Sequence, residues 1–392
     1  MDENGVLCEK IINDINAVIE RDSDLSSFEI VPTIFNQNKS PVIHIEHNLG
    51  LESWCVKWIY DYSHNKIVSS KTSKQQKHNN DTSVVKYLNV GLLINPDVAS
   101  FWHMRRQLIE KNRLMVHQEC QFAKLVLSKK PKSSEAFSYR RWLFSFQSSE
   151  SIDWSVEIGI CDRCADKSSS NYHAWSHRLW VLQKAPPSIL KSEIFLTEKF
   201  IKKHISDYSC YHYRHSLLEH LFEQSFYCDI DNVDSFSSLK DFINYCQVVT
   251  VSTTDEILLT LLPKLTEALN KNNGTKLSQR ILQQFQEKVK SFLYCCNLAA
   301  FDMKLCDELK NLYGARESFE NHRRASLKFI VDNIVKMNGI KVIDQCSSPV
   351  TKLCKYDYTE NEFLLAVKKS EAMLGEKHRQ WCSLFLGFDF SA

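Results

Sequence analysis

The sequence predicts an all-α protein, an α-α superhelix in which helical hairpins follow one another as a TPR-like solenoid. Three observations support this prediction: glycine and proline are scarce, an aromatic-x-x-arginine motif recurs, and each copy is followed by apolar residues. The 392-residue chain contains 9 glycines and 8 prolines, whereas strand-rich folds use these residues in their many turns. Long helices joined by short turns are therefore expected.

The motif occurs in four consecutive segments: Trp102–Arg105, Phe137–Arg140, Trp175–Arg178 and Tyr211–Arg214. Successive arginines are 35, 38 and 36 residues apart. A period near 36 is typical of a helix–turn–helix unit in a repeat protein. Weaker copies, each with a His-Arg pair but without the aromatic residue, are found at Arg323 and Arg379.

Helix starts can be placed beside two of the motifs. Asn95 is followed by Pro96 and Asp97, which predicts a capping residue, a first helical proline and an acidic first turn. Asn171 is expected to cap the helix that begins at Tyr172. Trp175, Arg178 and Leu182 would then share one face of that helix.

A carboxylate precedes three of the motif arginines by 21 residues, and Asp302 keeps this offset before the weaker copy at Arg323. Because an unpaired buried charge is very costly, we expect each carboxylate to reach across its own hairpin to that arginine. The expected pairs are Glu119 with Arg140, Glu157 with Arg178, and Glu193 with Arg214. The motif residues and these carboxylates are assigned a structural role, since they recur in several repeats whereas a catalytic site occurs once.

The chain divides into three regions of one continuous solenoid. Residues 1–85 are expected to form a helical region with a mobile polar loop at 63–81. Residues 86–225 carry the motif. Residues 226–392 are expected to hold degenerate repeats and C-terminal helices, and the motif-free stretch 227–310 is either decayed repeats or an insertion.

Composition and short motifs exclude several function classes. The formal net charge is +2, which argues against nucleic-acid binding. The acidic N-terminus lacks a signal-peptide pattern and no apolar run is long enough to span a membrane, so a cytoplasmic protein without stable membrane insertion is expected. Its 14 cysteines are interpreted as reduced core thiols. Cys161, Cys164, His173 and His177 lack the spacing of a zinc finger, and no metal is expected on this chain.

This repeated pattern, with NYHAW in its third unit, resembles the α-subunit repeat of protein prenyltransferases. The resemblance covers residues 90–220 and extends weakly to 385. It implies a non-catalytic α-type subunit that wraps around a β subunit, the latter carrying zinc and most of the lipid pocket. The implied partner is the β subunit of Rab geranylgeranyltransferase, the co-substrate is geranylgeranyl diphosphate, and the protein substrates end in a C-terminal cysteine. By itself the chain is expected to be inactive.

The resemblance also implies roles for three residues outside the recurrent motif. Lys132 lies eight residues before Arg140, where farnesyl-transferring relatives carry a lysine that reaches the diphosphate. Tyr172 and His173 correspond to a Tyr-His pair that faces the β subunit near the isoprenoid. The alternative function is a non-enzymatic helical-repeat scaffold that binds protein partners, which would tolerate the loss of all three side chains.

Overall fold

A computed structural model describes residues 3–33, 40–72, 80–227, 236–248, 251, 253–272, 279–340, 342–345, 354–356 and 361–390. The chain forms two compact units, Met1–Ile189 and Leu190–Ala392. Among the described residues most lie in helices, so the predicted all-α class is confirmed. No helix in that part of the chain is long and apolar enough to cross a membrane.

The first unit contains eight helices within its described residues. They are α1 (Glu3–Arg21), α2 (Val56–Thr72), α3 (Asn80–Ile94), α4 (Ala99–Glu110), α5 (Val116–Lys129), α6 (Ser134–Leu143), α7 (Trp154–Lys167) and α8 (Tyr172–Leu182). The helical hairpins predicted from the period appear as the pairs α5–α6 and α7–α8, whose helices contact each other. Motif residues of both hairpins are buried, including Phe137 and Trp175.

A small sheet interrupts the N-terminal helices, and the predicted helical region at 1–85 did not include it. Strands β1 (Ser27–Val31), β2 (Val42–Ile45) and β3 (Asn48–Glu52) are arranged in the order β1-β3-β2. The β1–β3 pair is parallel and the β2–β3 pair antiparallel. Phe28, Leu49 and Leu51 are fully buried, because alternate residues of a strand point to the same face.

Two local predictions were also corrected. Residues 63–72 and 80–81 of the expected polar loop belong to α2 and α3, and the rest of that loop lies outside the described residues. Asn95 does not cap a helix: its side chain accepts from the backbone N–H of Asp97, and α4 begins only at Ala99. The carbonyl of Pro96 instead accepts a hydrogen bond of 2.8 Å from the indole of Trp102, which ties the motif aromatic to the preceding turn.

The second unit starts within α9 (Pro187–Lys203) and continues with eight further described helices. These are α10 (Tyr208–Glu223), α11 (Ser237–Tyr245), α12 (Thr254–Leu261), α13 (Pro263–Asn272), α14 (Gln279–Tyr313), α15 (Glu317–Met337), α16 (Glu362–Ala372) and α17 (Glu376–Leu386). Strands β4 (Val342–Gln345) and β5 (Cys354–Tyr356) form an antiparallel pair. Helix α10 packs on α14 and α15, which follow it after the insertion formed by α11–α13.

Candidate functional site

The motif arginines are buried, and in the first unit two of them bond carboxylates on the helix that follows. Arg105 of α4 donates from Nε and Nη2 to the carboxylate of Glu119 on α5, at 2.6 and 2.5 Å. Arg140 of α6 binds Glu157 of α7 in the same bidentate way. All four side chains are almost completely buried. Bidentate, charge-assisted bonds are the strongest that an arginine makes, so these pairs tie successive helices together.

Each of these carboxylates has a second donor from its own hairpin. The hydroxyl of Tyr139 donates to Glu119 Oε2 at 2.6 Å, and His177 Nε2 lies 3.1 Å from Glu157 Oε2. Tyr139 and His177 immediately precede the motif arginines Arg140 and Arg178. One carboxylate therefore joins the arginine of the preceding repeat to the tyrosine or histidine of its own repeat.

The predicted pairing was wrong in its register. Glu119 and Glu157 bond the arginine that precedes them, Arg105 and Arg140, rather than the arginine 21 residues later. The residue twenty positions after each carboxylate, Tyr139 or His177, contacts it instead. Arg178 has an ion pair with Asp162, which lies on α7 of the same hairpin.

The buried arginine–carboxylate pairs, together with the tyrosine or histidine that contacts each carboxylate, are called the ion-pair row below. The pKa values of its members follow from burial and ion pairing. Burial raises the pKa of Glu157, but the Arg140 guanidinium and the hydrogen bond from His177 more than offset it and lower the pKa to about 2. Burial lowers the pKa of His177, and the contact with Glu157 only partly offsets this effect. His177 is therefore neutral at pH 7 and donates its Nε2–H to Glu157.

The same arrangement recurs in the second unit. Arg214 of α10 donates from Nε to Asp302 of α14 at 2.7 and 2.9 Å, and His322 Nε2 lies 3.3 Å from the same carboxylate. Glu193 is buried and accepts from Tyr213; the only ion pair of Arg214 within the described residues is with Asp302, so this predicted pair is also replaced. Because Asp302 completes a repeat begun before α11–α13, residues 236–272 contain an insertion rather than decayed repeats.

The row continues to Arg323, which donates to Glu371 of α16 at 2.9 and 3.2 Å. His378 Nε2 lies 2.7 Å from that carboxylate. Sequence analysis noted the His-Arg pair only in the two weaker copies and missed that a histidine or tyrosine precedes the arginine in every copy after the first. The signal was present, because these residues form a column of their own: Tyr139, His177, Tyr213, His322 and His378.

The candidate functional site lies at the edge of the first unit where α6 and α8 begin. Ser133 caps α6, and Asn171 caps α8 by accepting from the N–H of Ala174 at 3.2 Å, as predicted for Asn171. The Asn171 amide also donates to the carbonyls of Pro131 at 2.6 Å and Cys164 at 3.1 Å. One buried asparagine thus holds the α5–α6 turn against the start of α8.

This tether brings together the side chains that were predicted to bind ligand or partner. Lys132 follows Pro131 and is exposed, and it has no ion pair within the described residues. Tyr172 follows Asn171 and is 67% exposed, whereas His173 is half-buried. The Tyr172 and His173 rings are in edge contact, with centroids 5.8 Å apart. Lys132 and the Tyr-His pair therefore lie on adjoining turns of one edge.

Other lysines near this edge have carboxylate partners. Lys130 pairs with Asp97, and Lys129 and Lys167 pair with Glu29 at 3.7 and 2.5 Å. Lys132 differs from them because its charge is not neutralised by a described neighbour. It is therefore the lysine of this turn that is available to an anionic ligand.

The cysteines of the first unit do not form a metal centre with the neighbouring histidines. Cys161 and Cys164 are buried, and burial raises the pKa of Cys164 to about 12. Among the described residues, Glu371, His378 and Cys382 are the only three whose ligand atoms lie within 4.8 Å of one another. Arg323 occupies both oxygens of Glu371, and Arg324 Nε lies 3.4 Å from His378 Nδ1, so these donor atoms already serve the ion-pair row.

The fold and its buried ion pairs define a helical repeat protein whose hairpins are linked by arginine–carboxylate contacts. A model of the protein prenyltransferase alpha subunit repeat matches residues 116–147, 154–185 and 190–221, which correspond to α5–α6, α7–α8 and α9–α10. These three hairpins therefore match the repeat that the sequence analysis found the chain to resemble. The first motif, Trp102–Arg105, precedes the matched residues, yet its arginine makes the same bidentate contact.

Named relatives fall into two groups. The chain is 32% identical to protein prenyltransferase alpha subunit repeat-containing protein 1 of Homo sapiens over 248 residues, which is 57% of this chain and 61% of that protein. It is 30% identical to the 1-A form of Xenopus laevis over 262 residues, 61% of this chain and 60% of the relative. It is also 30% identical over 160 residues to geranylgeranyl transferase type-2 subunit alpha of Rattus norvegicus, 38% of this chain and 28% of that subunit.

Proposed function

We propose that this chain is the α-type subunit of a heterodimeric protein prenyltransferase that transfers a geranylgeranyl group to C-terminal cysteines of protein substrates. Zinc and most catalytic residues would belong to a β subunit similar to that of Rab geranylgeranyltransferase, and the pair would act in the cytoplasm. The observation that supports this proposal is the exposed Tyr172, which is held beside Lys132 by the buried Asn171. The ion-pair row explains why the motif residues are present, but Lys132 and Tyr172 take no part in it.

In the proposed reaction the substrate cysteine attacks the allylic carbon of geranylgeranyl diphosphate, a C–S bond forms, and the C–O bond to diphosphate breaks. Zinc on the β subunit would keep the cysteine as the nucleophilic thiolate, its proton passing to solvent. Lys132 would stabilise the negative charge that develops on the departing diphosphate. Tyr172 and His173 would contact the β subunit beside the lipid, since tyrosine is favoured at protein interfaces.

The test is co-expression with a Rab geranylgeranyltransferase β subunit and purification through a tag on this chain. A stoichiometric complex that contains zinc and binds labelled geranylgeranyl diphosphate is the expected result. Lys132→Ala should leave the complex intact and lower the transfer rate by roughly tenfold or more. Lys184→Ala is the matched control, because Lys184 is also exposed but follows the C-terminal end of α8.

Tyr172→Ala separates partner binding from chemistry. We expect this variant to fold normally, since the ring is mostly exposed, but to bind the β subunit more weakly. Phe146→Ala is its control, because Phe146 is 48% exposed beyond the C-terminal end of α6. A chain that elutes alone and without metal would contradict the subunit proposal and favour the scaffold. A complex that binds lipid but is unaffected by Lys132→Ala would overturn only the role of Lys132.

A further inference from the structure

A polar cavity lies in the first unit, between the start of β1 and the helices α5 and α7. Its volume is about 350 Å³. Its polar lining consists of Ser26, Ser27, Ser128, Lys124, Arg163 and Lys167. The cavity is thus bordered by three cationic side chains, and none of the described residues that line it is a carboxylate.

Two of these cations have no partner within the described part of the chain. Lys167 pairs with Glu29 and donates to the Ser128 carbonyl at 2.7 Å, but Lys124 and Arg163 make no hydrogen bond or ion pair there. Burial lowers the pKa of Lys124, and the charges of Arg163 and Arg140 lower it further, while Asp24 partly offsets them. Lys124 is half-buried and Arg163 is exposed at the cavity. Their like charges repel each other, and an anion bound between them would relieve this repulsion.

The serine hydroxyls around the cavity are already oriented by the protein. Ser27 donates to Asn48 Oδ1 at 2.6 Å, and Ser26 donates to the His47 carbonyl at 3.0 Å. Ser128 donates to the Leu125 carbonyl at 2.6 Å and accepts from the N–H of Phe28 at 2.9 Å. The three serine hydroxyls are thus already engaged within the protein, and the bond from Phe28 to Ser128 joins β1 to α5. The uncommitted donors at the cavity are the side chains of Lys124 and Arg163.

These two donors match one ligand chemistry. A guanidinium presents paired N–H groups that suit a phosphate or carboxylate in bidentate fashion, and an ammonium adds a compact charge. Two uncompensated positive charges favour a doubly charged anion over a single carboxylate. We propose that this cavity binds the phosphoryl group of a small soluble phosphorylated molecule, with Arg163 and Lys124 as its charged contacts.

The site is separate from the proposed prenyl-transfer edge. Lys132 lies in the turn before α6 and Tyr172 at the start of α8, whereas Lys124 and Arg163 lie within α5 and α7 and line the cavity beside β1. Loss of phosphate binding would therefore leave the proposed transferase role untouched. The converse also holds, so that the two proposals can fail independently.

The experiment measures binding of inorganic phosphate and inorganic diphosphate to the full-length chain by titration calorimetry, at constant ionic strength. Saturable binding to one site is expected, together with a rise in the unfolding temperature that chloride does not produce. Arg163→Gln and Lys124→Met should each weaken binding by about tenfold or more, since a hydrogen bond to a charged group is lost. Lys184→Ala, which removes an exposed cation elsewhere in the same unit, should bind as the unaltered chain does.

Folding of the variants is checked by their unfolding temperatures without phosphate. Removing one of two unpaired like charges should leave that temperature unchanged or higher. Absence of saturable binding, or equal binding by Arg163→Gln and the unaltered chain, would overturn the proposal. Binding to phosphatidylcholine vesicles with and without a phosphoinositide is measured as well. If the chain binds phosphoinositide vesicles through Arg163 but does not bind free phosphate, the site belongs to a lipid headgroup. That result would overturn the proposal of a soluble ligand.

Discussion

At the scale of single residues, the buried carboxylates have the most demanding environment in the first unit. Glu157 accepts from Arg140 and from His177, which belong to successive hairpins. A buried charge that loses its partner is much more costly than the pair itself is stabilising. The effect of a substitution therefore depends on which partner is left behind.

Glu157→Gln should lower the free energy of unfolding by about 3–5 kcal/mol, because Arg140 would remain buried without a counter-charge. Chemical denaturation of the full-length chain measures this change. Glu29→Gln is the matched control, since Glu29 is 51% exposed in its pair with Lys167 and should matter by about 1 kcal/mol or less. Equal losses in the two variants would show that the buried row does not stabilise the fold as argued.

His177 should make stability depend on pH. Its pKa is lowered in the folded chain, whereas the unfolded value is about 6.5. As the pH falls through about 6.5, His177 is protonated in the unfolded chain but stays neutral in the folded chain, so the free energy of unfolding decreases. The stability that neutral His177 contributes is fully present above about pH 6.5. It is lost as the pH falls towards the lower pKa of the folded chain. Glu157 has its own transition only below about pH 4.5, since its pKa falls to about 2.

His177→Tyr tests this pH effect. Tyrosine occupies the equivalent position at Tyr139, where its hydroxyl reaches Glu119, and it does not titrate in the acidic range. We expect the variant to lose less stability than the unaltered chain between about pH 7.5 and about pH 5.5, by up to about 1.4 kcal/mol per pH unit. Denaturation curves at several pH values measure the difference. Identical pH profiles would contradict a neutral, buried His177.

At the scale of secondary-structure elements, a residue that caps a helix can also hold a neighbouring turn in place. Asn171 caps α8 and also holds the turn that carries Lys132, through its bond to the Pro131 carbonyl. Asn361 caps α16 in a simpler way, by accepting from the N–H of Leu364 at 2.9 Å. Both asparagines are buried. Comparing them therefore separates the effect of the bond from Asn171 to the α5–α6 turn from the effect of capping the helix.

Asn171→Ala should destabilise the chain by about 2 kcal/mol or more, because a cap and buried carbonyl bonds are lost together. Asn361→Ala should cost about 1 kcal/mol, the usual value for a cap. Asn171→Asp keeps the cap oxygen but replaces the amide donor with a charged group. Because the amide bonds are lost and a charge is buried, this variant should be more destabilised than Asn361→Ala. If Asn171→Ala and Asn361→Ala are equally harmful, the tether is not energetically significant.

At the scale of the whole molecule, the cysteines serve as a probe of packing. Of the eleven cysteines whose side chains are described, ten are buried and Cys120 is intermediate. Burial raises the pKa of Cys164, Cys246 and Cys295 to about 12 in each case, and the thiolate is the reactive form. Their reactivity should therefore depend on opening of the fold.

A native thiol-labelling experiment tests this expectation with three cysteines replaced by serine: Cys228 and Cys346, which lie outside the described residues, and Cys354 of β5. At most one thiol, that of Cys120, should react quickly at neutral pH, and the others should react only on unfolding. Cys120→Ser identifies the fast thiol. Rapid labelling of several cysteines in the folded chain would show that the core is not packed as described.

The sequence by itself determined the all-α class, the repeat period, the burial of the motif residues and the cap at Asn171. These properties follow from spacing along one helix, because the period decides which residues share a face. The short strands at 27–52 were missed because a few alternating residues are a weak signal beside long helical patterns. The edge that joins Lys132 to Tyr172 followed from family resemblance, and the tether through Asn171 needed coordinates.

Tertiary structure alone decided which carboxylate meets which arginine. Glu119 precedes Arg140 by a constant and plausible offset, yet it bonds Arg105, because the packing of successive helices brings the preceding arginine to it. The contact between Arg214 and Asp302 joins residues 88 positions apart, across the insertion that contains α11–α13. Local spacing restricts the face on which a side chain lies but carries no information about which neighbour that face meets. That choice is made by the packing of whole helices.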